Sequence, residues 1–237
     1  MDLKEEDILG ERIEDHWYYR AKLKAVLHDL DSIPFESVLD VGAGSGFFSR
    51  RILAATQARE ATCVDPNYPA ETEETVAGKA LRFRRSVEAT PADLVLMMDV
   101  IEHVPDDVAL VREYAAQAAS GTHFLVTVPA FMWLWSGHDV FLEHYRRYTL
   151  PGLAGVLGKA GLEMVHGHYF FGAVLPMVAA VRGWKRLTEK GKPATSDMKP
   201  VSRPINDALF GLSALEVSLM RLNRLGGTSV FALARKA

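Results

Sequence analysis

From Ile8 to Leu30 apolar residues recur at three- and four-residue steps among charges, through Ile13, Trp17, Leu23, Val26 and Leu27, a spacing that predicts helix until Pro34 closes the segment. Beyond that proline the period changes. Residues 36–41 (ESVLDV) form a short apolar run that enters a glycine turn, and 47–56 (FFSRRILAAT) return to helical spacing. Further short apolar runs predict strands at 61–66, 80–85, 92–99, 122–129, 162–170 and 228–236. Helices are predicted at about 105–119 and 150–160, the second stopped by Gly161. Strands alternating with helices imply parallel strands covered on both faces, an α/β class of fold. Seven strands are expected in one domain spanning 1–237, with residues 1–32 as an N-terminal helical cover.

Two stretches break that alternation. Residues 130–148 are too long and too aromatic for a plain connector. Between the last two strands, residues 171–225 far exceed the short connection such folds need, which marks a helical insertion or lid. It begins with an almost uncharged run, FFGAVLPMVAAV, too short to cross a bilayer. Arg182, Trp184, Lys185 and Arg186 follow at once, residues 190–200 have loop composition, and a helix over 204–225 lines up Leu209, Leu212, Leu215, Leu219 and Leu222. An apolar face bordered by Trp and Lys/Arg suits an in-plane membrane contact; a lid or a homodimer interface would bury the same leucines.

Composition narrows the class. With 237 residues, 49% apolar and 24% charged, the chain is globular, neither disordered nor a disulfide scaffold. The one cysteine, Cys63, fits a reducing cytosol, and the acidic opening over residues 1–15 does not read as a secretory leader, so a cytoplasmic location, peripheral to the membrane at most, is expected. The net charge of -3 conceals an asymmetry: residues 1–181 hold 16 Lys/Arg against 26 Asp/Glu, while 182–237 hold 11 against 4. So acidic a body argues against a nucleic-acid partner.

The chemistry concentrates first at VLDVGAGSG, residues 38–46, where Asp40, Gly42, Gly44 and Gly46 stand two apart between a strand and a helix. Glycines let the backbone pass close beneath a ligand, and the helix start offers free N–H groups. A dinucleotide fingerprint would require glycine where Phe47 stands. Asp65, about twenty residues on at the end of the next strand, is placed to hold ribose hydroxyls. In these motifs the chain resembles the class I S-adenosylmethionine-dependent methyltransferases, of the group containing ubiquinone and menaquinone biosynthesis enzymes. The resemblance covers residues 16–170 and the last strand, and implies a Rossmann-like sheet whose last strand is antiparallel. It implies that Asp40, Gly42, Gly44 and Gly46 wrap the methionine end of S-adenosylmethionine, that Asp65 with Asn67 holds the ribose, that Ser86 and Val87 meet the adenine, and that Asp99 lies beside the transferable methyl. HWYYR, residues 16–20, resembles the family's covering helix, with Tyr19 and Arg20 as candidates for the methionine carboxylate.

On the acceptor side, DVIEHVPDD (99–107) resembles a segment in which some relatives bind a divalent metal; the matching positions are Asp99, Glu102 and His103, and no metal is expected here, the latter two being read as helix-start residues. The loop PAFMWLWSGHDVFLEHYRRYT brings His138, Asp139, His144, Arg146 and Arg147 to positions matching bacterial members of the group, with Trp133 and Trp135 suited to excluding water. His138, His144 and Asp99 are the expected catalytic residues, the histidines having a range suited to taking a hydroxyl proton. Trp133, His138, Asp139, Arg146 and Arg147 are the expected acceptor contacts. Expected overall is methyl transfer to a small, lipid-like or membrane-associated acceptor. A soluble enzyme for a polar metabolite or sugar, and a non-catalytic cofactor-binding regulator, are the alternatives.

Overall fold

The computed structural model describes residues 8, 10–89, 92–188, 193–198 and 200–237. A short 3₁₀ turn over Gly10–Ile13 precedes α1, Trp17–Leu30, so the N-terminal cover is interrupted near Asp15 where one continuous helix is expected. The first seven residues of that cover, and Lys190–Lys192 and Lys199 of the expected loop, lie outside the described residues. In chain order there follow β1 (Ser37–Val41), α2 (Phe47–Ala55), β2 (Glu60–Val64), β3 (Thr72–Val76), β4 (Lys79–Arg84), β5 (Leu94–Met98), α3 (Asp107–Gln117), β6 (His123–Pro129), α4 (Gly137–Phe141), α5 (Leu150–Lys159), β7 (Leu162–Phe170), α6 (Leu175–Thr188), α7 (Arg203–Glu216) and β8 (Ser229–Lys236).

The strands form one sheet in the order β3-β4-β2-β1-β5-β6-β8-β7. From β4 to β6 every pairing is parallel, whereas β8 runs antiparallel between β6 and β7. The expected α/β sheet is therefore present with eight strands in place of seven. The extra strand is β3, joined to β4 through Ala77 and Gly78, both at positive φ, as a two-residue hairpin turn requires. Its sequence TEETV has no apolar face to signal a strand, and its glutamates meet arginines of its neighbour, Glu73 lying across from Arg82.

Central strands are buried on both faces. In β5, Leu94, Leu96 and Met98 pack into one core layer and Val95 and Met97 into the other, all at 2% exposure or less, which is why the strand reads as a continuous apolar run. The first layer is closed by α1, α2 and the insertion, the second by α3 and α5.

The insertion folds as α6, α7 and a 3₁₀ turn over Val217–Leu222, so the helix expected through residue 225 keeps α geometry only to Glu216. It roofs the N-terminal cover: Asn206 accepts from the Trp17 N–H at 2.8 Å and donates to the Asp15 carbonyl at 2.9 Å. A buried staple ties the same parts to the sheet edge. Asp29 of α1 bonds His166 and His168 of β7 at 3.1 and 2.9 Å and accepts from Arg221 at 3.2 Å. Burial opposes its charge, but the two histidines hold Asp29 far below the usual carboxylate range.

Candidate active site

The glycine turn leaves β1 at the carboxyl end of the parallel strands, where ligands of such sheets bind. Gly42, Gly44 and Gly46 all have positive φ. A Cβ at Gly46 would come within 2.8 Å of the Phe83 ring, and one at Gly42 within 2.8 Å of Val100, so a side chain at either position is opposed by both backbone and space. Gly46 opens α2, aiming that helix's free N–H groups at the turn. Asp40 lies buried beneath, accepting from Ser49 Oγ at 2.7 Å; burial, against the pull of that hydrogen bond, moves it up to about 6. Asp65, buried after β2, accepts from the N–H groups of Asn67 (2.9 Å) and Gly44 (3.4 Å), and Tyr68 braces the turn by donating to the Gly44 carbonyl at 2.7 Å. The turn and Asp65 thus face one another as an anion-and-hydroxyl cradle, which fits the ribose and methionine end of S-adenosylmethionine. Asn67 and Ser86 are exposed and Val87 is half-buried.

Asp99 ends β5 with φ +54, the left-handed region, and is held from two sides. Thr127 Oγ1 donates to it at 3.2 Å, and the Lys22 ammonium pairs with its other oxygen. Lys22 belongs to the buried face of α1 and is 1% exposed. Burial works against the Asp99 charge, but Lys22 outweighs it and holds the carboxyl below its ordinary value.

Next to Asp99 opens a cavity of about 330 Å³. Its floor carries Asp99, Glu102, His103, His138, His144 and Arg147, while Val174, Met177, Val178, Val181 and Leu209 supply apolar wall. Glu102 is fully buried, and among the described residues no side chain hydrogen-bonds either carboxylate oxygen. Burial and the nearby Asp99 charge raise it well above the usual carboxylate range. Ligand atoms of Glu102, His103 and His144 lie within 4.8 Å of one another.

Asp139 organises the loop over this floor. Buried at the start of α4, it accepts from the Ser136 N–H (2.8 Å) and Arg147 Nε (2.6 Å) and bonds His144 Nδ1 (3.0 Å), with Arg182 of α6 3.8 Å away. Burial opposes ionisation there too, but His144 and Arg147 hold Asp139 far below the carboxylate range. His144 is thereby oriented with Nε2 left for the cavity. His138 also lines the cavity, yet its Nδ1 accepts from the Asp197 N–H at 3.2 Å, pinning the loop to the insertion. Burial, then the Arg182 charge, lower its pKa to about 4.

The structure redistributes several expected contacts. Tyr19 lines the cavity, but Arg20 turns outward, lying 3.9 Å over the Phe210 ring and 3.5 Å from Asp207. Arg146 ties α3 to the loop through Asp107 at 3.1 Å and the Val104 carbonyl at 3.2 Å. Trp133 stacks on Phe131, half exposed and away from the cavity lining, and the carbonyls of Trp133 and Trp135 accept from Arg186. The trio Asp99, Glu102 and His103 is split: Lys22 occupies Asp99, and His144 joins the other two. Lys22 and Arg182 were missed as site residues. A lysine three residues after Tyr19 on the helix face that also carries Val26 was the one legible sign of Lys22.

The methyltransferase domain family model matches residues 15–167, which include the glycine turn, Asp65, Asp99 and the histidine loop. The chain belongs to the methyltransferase domain family. S-adenosylmethionine is the cofactor that its cradle suits. Among similar proteins, the ubiquinone biosynthesis O-methyltransferase of Vibrio parahaemolyticus is 30% identical over 131 residues, covering 49% of this chain and 54% of that protein. An uncharacterized methyltransferase of Mycobacterium ulcerans is 28% identical over 162 residues, covering 65% and 61%. The chain thus spans little more than half the length of these relatives. The solved structure of the Burkholderia thailandensis 1,6-didemethyltoxoflavin-N1-methyltransferase, bound to its substrate and S-adenosylhomocysteine, shares the fold with a TM-score of 0.52 at 18% identity, over 92% of this chain and 78% of that one.

Proposed function

We propose that this protein methylates a hydroxyl group on an amphipathic acceptor, with S-adenosylmethionine as donor, and meets that acceptor at a membrane surface. One observation carries the reading: the cavity beside Asp99 joins Glu102, His103 and His144 to an apolar wall of Val174, Met177, Val178 and Val181, with the Arg182–Asp197–Lys185 ion pairs also in its lining. Met177 and Val181 line it while remaining 47% and 48% exposed, and Trp184 and Leu187 continue the same side of α6 at 68% and 74% exposure. Leu212, Leu215, Leu219 and Leu222 form a second exposed row on α7 and the turn after it. The name of the Vibrio relative, a ubiquinone biosynthesis O-methyltransferase, supports both the hydroxyl and the lipid-like body.

The bound cofactor supplies an already activated methyl group, so the protein's work is alignment, water exclusion and handling of one proton. Asp65 would hold the ribose and the glycine turn the methionine end. Asp99, kept ionised by Lys22, places negative charge beside the reacting end. His144, fixed by Asp139, offers Nε2 to the acceptor hydroxyl and receives its proton. His138 keeps the loop docked on the insertion.

Dodecyl 3,4-dihydroxybenzoate and free 3,4-dihydroxybenzoate test the reading as a pair. Each CH₂ that leaves water contributes about 0.8 kcal/mol, so even partial burial of the tail raises kcat/KM by ~10-fold or more. Equal kcat/KM for the two would mean that the tail finds no apolar track.

A further inference from the structure

Far along the edge strand β7 the sequence reads His-Gly-His, and the two-residue period of a strand puts His166 and His168 on one face. Their rings stack at 6.2 Å, 15° apart. Both turn Nε2 toward a single carboxylate, Asp29 of α1, each to a different oxygen, at 3.1 and 2.9 Å. Asp29 and His168 are 0% exposed, while the His166 side chain keeps 18% and gives the cluster a way out to solvent. His168 has too few protons for its neighbours. Its Nδ1 lies 3.3 Å from the Tyr169 carbonyl, so each ring nitrogen faces an oxygen, whereas a neutral imidazole has one N–H to give. With that N–H on the Tyr169 side, Nε2 and the Asp29 carboxylate meet lone pair to lone pair. A cation belongs between them, either a second proton or a metal ion. Imidazoles that bind metal through one nitrogen commonly donate from the other to a backbone carbonyl, as His168 then does to Tyr169.

We propose that Asp29, His166 and His168 form a zinc site that clamps the N-terminal cover to the edge of the sheet. Two imidazoles and a carboxylate are a donor set that zinc accepts, with water entering past His166 to complete the shell. Tetrahedral bonds of about 2.0–2.1 Å hold ligand atoms roughly 3.3 Å apart, so the carboxylate–imidazole gaps of 2.9 and 3.1 Å open only slightly around the ion. Arg221 Nε also reaches Asp29, at 3.2 Å, but its Nη2 is held separately by the His28 and Asp29 carbonyls and Ser32 Oγ. The guanidinium therefore keeps its place when the carboxylate turns to a metal. None of the three ligands lines the cavity beside Asp99, so the ion acts as a clamp and the site stands independently of the methyl-transfer reading.

Zinc chloride titrated into chelator-treated full-length protein tests the site by calorimetry and thermal unfolding. Expected are stoichiometric binding and a Tm that rises with zinc concentration, as an ion that binds the folded chain requires. His166→Gln and His168→Gln should each weaken binding ~10-fold or more, and Glu102→Gln, from the separate cluster at the cavity, should leave it unchanged. Binding that is lost in Glu102→Gln and kept in both histidine variants overturns the proposal. A histidine variant that fails to fold does not decide the matter, because wild-type crystals soaked in zinc give a second readout. An anomalous peak at the zinc edge is expected between Asp29 and the two Nε2 atoms. No zinc binding, or zinc elsewhere with that place empty, overturns the proposal and leaves a proton between ring and carboxylate.

Discussion

At the scale of single residues, the site is set by which charges are held and by what. His144 draws its orientation from Asp139, so His144→Ala should lower turnover by ~10²–10⁴, the usual contribution of a positioned proton acceptor, while S-adenosylhomocysteine affinity changes far less. Equal losses in both measurements would move His144 to a structural role. Gly46→Ala should cost about 1–3 kcal/mol from its left-handed backbone and the Phe83 contact, with weaker cofactor binding seen by calorimetry. Unchanged stability and affinity would mean that the turn relaxes around the new methyl. The glycine turn and the acid after the second strand were legible because their spacing is local. Lys22 was not, since its partner Asp99 lies 77 residues away and only the packing of α1 over the sheet brings the two together. Arg20 misled for the converse reason: its neighbours in sequence suit a covering helix, but α7 draws its guanidinium outward to Phe210.

At the scale of elements, the loop over residues 130–148 and the insertion behave as one unit. Arg182 donates to the Leu134 carbonyl at 2.7 Å and pairs with Asp197 at 3.1 Å, and His138 accepts from the Asp197 backbone. Because His138 titrates near 4 in the folded protein and near 6.5 when unfolded, the unfolded chain binds the extra proton between those values. Stability from this group is intact above pH 6.5 and lost as pH falls toward 4. Thermal unfolding should show a fall in Tm over that window that is smaller in His138→Gln; identical pH slopes would contradict the pinning role. Periodicity found most helices and strands because their apolar positions face a core on one or both sides. It missed β3, whose threonines and glutamates have no buried face and whose strand character comes from pairing with β4.

At the scale of the whole molecule, the basic surplus after residue 181 has a different use from the one its composition suggested. Lys185 and Arg182 are taken by Asp197, Arg221 by Asp29, Arg235 by Glu163, and Arg186 and Arg224 by backbone carbonyls. Among the described residues these cations mostly staple the insertion to the body, which leaves the exposed leucines and Trp184 to make any membrane contact. No described helix is long and apolar enough to cross a membrane. Sedimentation with phosphatidylcholine vesicles, with and without phosphatidylglycerol, should therefore show binding that changes little with salt and drops ~10-fold or more in Leu215→Ser/Leu219→Ser, since each buried leucine contributes about 1.5–3 kcal/mol. A steep salt dependence would instead return the contact to electrostatics. The cavity that carries Asp99, Glu102 and His144 also carries Met177 and Val181 of α6, and a crystal structure with S-adenosylhomocysteine bound shows whether the cradle's ligand reaches it. Expected there are ribose on Asp65, sulfur beside Asp99, and open space running from the sulfur past Glu102 and His144 to Met177 and Val181; a sulfur facing away from that cavity, or a cavity closed off from α6, would overturn the proposed function.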